Sequence, residues 1–321
     1  MELQTKIEIR HAKTEIVYQE RLLLLGSCFS EHIAQKLQES CFQVSSNPFG
    51  VLYNPISIAR CLSLLLQNGQ DMVEAEDTVQ YNGMWHSLLH HGSFSCADKQ
   101  AFEKGISESI TAGRKALREA DVVIVTFGTA WVYEKNGRIV SNCHKLPANQ
   151  FSRRRMSAEE IVEIWSPLTA QLTRAGKRVI FTISPIRHLK DGLHENQLSK
   201  AVLLLATEQL VHSDQVEYFP SYELMMDELR DYRYYADDML HPSTMAVEYI
   251  WERFCHTYFS AETQSDMRVL QQLYKDFSHR PLHADTTEWR AFIKKRQERL
   301  EALQQQYPWL IRQTGVADCL R

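Results

Sequence analysis

The sequence predicts an α/β protein whose central parallel sheet is covered by helices on both faces. Three observations lead there. Short apolar runs bounded by turn residues recur along the chain. Segments with helical spacing separate them. The runs do not alternate with polar residues, as expected for strands buried on both sides and joined by crossover helices.

The first run, "RLLLLGS" (Arg21 to Ser27), stops at Gly26 and passes into "FSEHIAQKLQES", where Phe29, Ile33 and Leu37 share one helical face and Ser30 can cap the start. "SSNPFGVLYNP" is rich in turn residues, and "ISIARCLSLLLQ" returns to helix. "VEAEDTVQYNGMWHSL" alternates around Asn82-Gly83, a hairpin signal. A helix over Asp98 to Ala120 precedes the second strand, "DVVIVTFGT" (Asp121 to Thr129). A second hairpin turns at Asn136-Gly137. The helix from Ser157 to Gly176 opens on a capping box, Ser157 to Glu160. The third strand is "KRVIFTISP" (Lys177 to Pro185), the next helix "NQLSKAVLLLATEQLVH", and the fourth strand "QVEYFPS". From about Val247 onward only helix signals remain. The charged amphipathic helix from Trp289 to Leu310 is expected to pack on the domain, with a partner or homodimer contact as the alternative.

Composition narrows the function classes. The 321 residues carry 36 basic and 40 acidic side chains, a formal charge of −4, so no basic surplus points to nucleic acid. The apolar runs are too short to span a membrane, and the charged start "MELQTKIEIRHAKTEI" lacks the apolar core of a secretory signal. Seven cysteines without a CxxC pair argue for a reducing compartment. A cytoplasmic protein is expected. No P-loop or GxGxxG follows a strand, so no nucleotide cofactor is expected.

In open α/β sheets ligands bind beyond the carboxyl ends of the strands. Those ends are Gly26-Ser27-Cys28, Gly128-Thr129, and Ser184-Pro185 followed by Arg187 and His188. A helix start also favours an anion, which can activate a cysteine. A nucleophile needs a base, and a histidine base needs an orienting carboxylate. Asp-x-x-His occurs three times, at Asp191/His194, Asp238/His241 and Asp276/His279. Only Asp238/His241 follows the last strand and precedes a helix, with Pro242 setting the helix start.

An early strand ending in Gly-x-nucleophile, joined to a late Asp-x-x-His, resembles the SGNH (GDSL-like) hydrolase superfamily. More narrowly, "GSCFS", "NPFGVLYNP", "TFGTAWVY", "SNCHKLP" and "SPIRHLKDG" are similar to the GSCFA family over roughly Leu22 to Ile250. Ser30 stands where the family name has alanine. The resemblance implies a three-layer α/β/α domain over residues 1–256, with a helical extension over 257–321. It also implies hydrolysis or transfer of an ester or acyl group, such as an acetyl ester of a carbohydrate. In the Gly-Asp-Ser register Cys28 is the nucleophile and Ser27 takes the aspartate's place; one residue earlier, Ser27 is the nucleophile. His241 and Asp238 complete the triad. Gly50 would give an oxyanion N–H. The superfamily's Gly-x-Asn block reads Gly128-Thr129-Ala130 here, so its amide is missing, and Asn142 or Asn47 would replace it. A cysteine nucleophile also suits an acyltransferase or thioesterase. The missing amide suits a non-catalytic protein that keeps a ligand pocket.

The remaining polar groups have simpler readings. His86, His90 and His91 suit a metal only on a helix, and no metal is expected. His188 can face the substrate from strand three. Tyr232, Tyr234 and Tyr235 read as loop aromatics, and "FSRRRMS" as a solvated basic loop.

Overall fold

The computed structural model describes residues 5–67, 77–280 and 286–311. Its core is a five-stranded parallel sheet in the order β2-β1-β5-β9-β10. The strands are β1 (Arg21–Gly26), β2 (Gln43–Ser46), β5 (Val122–Phe127), β9 (Arg178–Ile183) and β10 (Val216–Phe219). Four of them are the strands read from the sequence. The fifth, β2, is not among them, and only its last two residues fall in the turn-rich stretch that starts at Ser45. It is four residues long, polar and at the sheet edge, so it carries no apolar run to reveal it.

Side chains alternate between two cores. Leu23, Leu25, Val123, Val125, Val179 and Phe181 face one way, against α2 (Pro55–Leu66), α3 (Lys99–Glu119), α4 (Ala158–Arg174) and α5 (Leu193–Leu210). Leu22, Leu24, Val122, Ile124 and Ile180 face the other way. There they meet α1 (Cys28–Glu39), α7 (Thr244–Tyr258) and α8 (Ala261–Ser278). Both faces of every central strand are therefore covered, which explains the continuous apolar runs. The short α6 (Ser221–Glu223) follows β10. In α9 (Thr287–Gln306) only Leu303 is buried, and the chain beyond it docks through Tyr307 and Leu310 while Trp309 stacks on Tyr18 at 4.3 Å.

Two small antiparallel sheets decorate the core. β3 (Thr78–Tyr81) and β4 (Met84–Ser87) turn at Asn82-Gly83, both at positive φ, as two-residue hairpins require. Residues 73–76 of that sequence pattern lie outside the described residues. β6 (Trp131–Lys135) and β7 (Arg138–Val140) turn in the same way at Asn136-Gly137. The basic run expected to be a solvated loop is instead β8 (Ser152–Arg155), paired with β6. Its arginines are not free: Arg153 pairs with Asp191, Arg154 with Glu134 and Glu160, and Arg155 with Glu195.

Two helix starts also differ from expectation. Helix α1 begins at Cys28 with Ser27 as N-cap, so Ser30 lies inside the first turn rather than capping it. Helix α7 is capped by the Ser243 side chain, which accepts from Ala246 N–H, and Pro242 sits in a bridge to Tyr235. Between β1 and β5 the crossovers change face, so a crevice opens there at the carboxyl edge. Gly26 ends β1 at that point with φ +137°. A Cβ there would lie 2.2 Å from the Thr126 carbonyl oxygen on β5, so glycine is required.

Candidate active site

A cleft of about 680 Å³ occupies the crevice. Ser27, Cys28, Asn142, His188 and His241, drawn from four separate stretches of sequence, all line it. Ser27 is 1% exposed and its hydroxyl has no hydrogen-bond partner. Cys28, one residue on, is half-buried. Burial pushes its thiol above the usual range, and Glu31 adds to this. The backbone N–H groups of Cys28 and Phe29, together with Lys200, oppose it.

Asp238 to His241 forms a tight turn with Met239 at positive φ. Asp238 Oδ1 accepts the N–H groups of Leu240 and His241 at 2.9 and 3.0 Å, and its Oδ2 lies 2.5 Å from His241 Nδ1. Those two backbone donors, and then the imidazole, hold the carboxyl down to about 2. The turn is anchored to the segment after β9, where Arg187 donates through its backbone N–H to Leu240 O and through its guanidinium to Met239 O. The other two Asp-x-x-His pairs are divided: Asp191 binds Arg153 and Asp276 binds Arg299.

Three sequence candidates fall away as oxyanion donors because none of them lines the cleft, and the N–H groups of two, Gly50 and Gly128, are already used. The Gly50 N–H donates to Asn47 O at 2.7 Å. Asn47 Oδ1 accepts from Gly26 N, and its Nδ2 is buried away from the cleft lining. The Gly128 N–H donates to Tyr53 O at 2.8 Å. Asn142 does reach the cleft, with Oδ1 holding the His144 N–H. The histidines around β4 are not on a helix. His86 bonds Ser95, while His90 is buried against Phe49 and bonded to Ser87, and His91 caps a short turn. Among the described residues no group of three His, Cys, Asp or Glu side chains is placed to hold a metal.

Two contributors went unread. The first is Asn54, the N-cap of α2. It lines the cleft and is 5% exposed, with Oδ1 fixed by the Ser57 N–H at 2.8 Å. The second is a polar stripe on α5. Asn196 accepts the His188 N–H, Ser199 accepts the Ala130 N–H, and Lys200 donates to Gly128 O and Ser184 O at 2.7 Å each. The stripe ties down the ends of β5 and β9. Its signal was present, since Asn196, Ser199, Lys200 and Leu203 share one face of a helix whose buried side they occupy.

Lys200 is fully buried, which lowers it to about 7 against a smaller opposing pull from Cys28. Burial and the neighbouring Lys200 lower His188 to about 4, leaving it neutral near pH 7. Between about pH 7 and the ordinary lysine range the unfolded chain holds a proton that the folded chain has released, so stability rises with pH. From pH 7 to 9 this amounts to about 2 kcal/mol. Urea unfolding of wild type and Lys200→Met at both pH values should show that rise in wild type only. A parallel pH response in the two proteins would contradict it.

The fold and cleft define a doubly wound α/β protein with a helix-start cysteine and a histidine–carboxylate pair at its topological switch point. The chain belongs to the GSCFA family, whose model matches residues 21–254; the C-terminal domain of GSCFA domain proteins matches residues 270–313. No curated protein sequence matches it. A carbohydrate esterase family 3 crystal structure from Talaromyces cellulolyticus is similar at 10% identity and a TM-score of 0.32, over 79% of this chain and 99% of that one. No helix among the described residues is long and apolar enough to cross a membrane.

Proposed function

We propose that this protein is an SGNH-like acyl-ester hydrolase working through Cys28, His241 and Asp238. The observation that carries the reading is that His241, bonded to Asp238, and the start of α1 line one cleft at the switch point. With Nδ1–H held by Asp238, His241 Nε2 is the basic nitrogen. It takes the Cys28 proton, and the thiolate attacks the ester carbonyl. The first N–H groups of a helix have no acceptor within it, so those of α1 receive the oxyanion. The Asn54 amide is the second donor: its oxygen is fixed by the cap, which leaves Nδ2 for the cleft. His241 then protonates the leaving alcohol, and water resolves the acyl-enzyme. Cys28 is assigned over Ser27 because it is the more accessible of the two.

Intact-mass spectrometry after exposure to p-nitrophenyl acetate tests the reading. Wild type should carry one acetyl adduct, and His241→Ala none. The raised thiol favours a second reading, a ligand-binding protein without turnover, and absence of any adduct in wild type would support it. Asn54→Asp retains the cap acceptor and replaces the donor with an acceptor. It should lower kcat by about 10²–10³-fold with little change in Tm. An activity within threefold of wild type would remove Asn54 from the mechanism.

A further inference from the structure

Given the acyl-ester reading of this cleft, we infer that its substrate carries an anionic group, bound by Arg187, Lys190 and Lys145 of the cleft lining. The cleft is lined by four cations, these three and Arg153, but by only one carboxylate, Asp191. Asp191 is committed to Arg153. The other three have no carboxylate partner among the described residues, although the chain has more acidic than basic side chains.

Arg154, Arg178 and Arg253 elsewhere are each paired with carboxylates. In the cleft, neutral groups position Lys190 and Arg187 without neutralising them. Lys190 lies 5.2 Å from the Tyr133 ring and donates to its hydroxyl at 2.9 Å. Arg187 lies 4.4 Å from the Tyr235 ring and donates to the Met239 carbonyl, and its buried Nε has no partner. Rings and carbonyls orient a cation while leaving its charge for a ligand. A cleft with low-dielectric walls focuses that charge on an incoming anion. Trp131 and Phe151 also line the cleft and offer apolar surface to the rest of such a substrate.

The test uses matched probes on the full chain. Acetate release is measured from acetylated methyl glucoside, methyl glucuronide and methyl glucoside 6-phosphate. Calorimetry measures binding of the three unacetylated glycosides to Cys28→Ala. The inference expects an anionic probe to be favoured by at least about tenfold at low salt, with the preference shrinking as salt is raised. The two anionic arms separate carboxylate from phosphate recognition. Lys190→Glu with Lys145→Glu should reverse the preference. Equal binding of neutral and anionic glycosides would overturn the inference, even if the neutral ester is cleaved. Preferential anion binding without cleavage of any ester would keep the inference and remove the acyl-ester reading.

Discussion

Cys28→Ala should abolish the acetyl adduct and lower ester turnover by about 10⁴–10⁶-fold, the loss expected when a covalent nucleophile is removed. Ser27→Ala should keep the adduct. The two residues are adjacent, and their surroundings differ. Ser27 is the N-cap residue of α1 and its buried hydroxyl makes no hydrogen bond, whereas Cys28 begins the helix with a partly accessible thiol. Because burial raises that thiol, the resting enzyme holds it protonated near neutral pH. The thiolate then forms only as His241 takes the proton, so Cys28 should react slowly with iodoacetamide at pH 7 and faster above pH 9. An adduct that survives in Cys28→Ala and disappears in Ser27→Ala would move the nucleophile to Ser27.

Asp238→Asn should cost about 10³-fold in kcat while leaving the turn folded. An asparagine oxygen can still accept the Leu240 and His241 N–H groups that bind Asp238 Oδ1. The amide nitrogen then faces His241 Nδ1 and forces that atom to accept. The proton moves to Nε2, and the base is lost. Side chains of both partners are 45% exposed, so water screens the pair and the loss should be smaller than for a buried triad. Steady-state kinetics with an unchanged unfolding midpoint would check this. Wild-type kcat in Asp238→Asn would show that Asp238 does not orient the base.

Several elements were legible because their signals are local. Strands β1, β5 and β9 read from continuous apolar runs, while β10 is shorter and carries Glu217, and both hairpins read from Asn-Gly pairs whose residues must adopt positive φ. The junction after β1 and the Asp238/His241 turn were legible for the same reason, each lying within a few residues of chain. Strands β2 and β8 were missed because their signal is non-local. β2 is polar and at the edge, and the charges of β8 are neutralised by carboxylates from β6, α4 and α5 and from the loop before α5. Gly50 and Gly128 looked free as oxyanion donors because a sequence does not show where an N–H has already been used.

By itself, then, the sequence determined the layered α/β plan and the residues at the strand ends, since these depend on periodicity and short turns, and its motifs carried the family resemblance. Tertiary structure alone decided the commitments between distant segments. It spent the Gly50 and Gly128 N–H groups, sank Lys200 beneath the β5 and β9 ends, and turned Asn54 and three unneutralised cations toward one cleft. The physical reason is that a polar group's chemistry depends on which partners reach it, and those partners are set by packing.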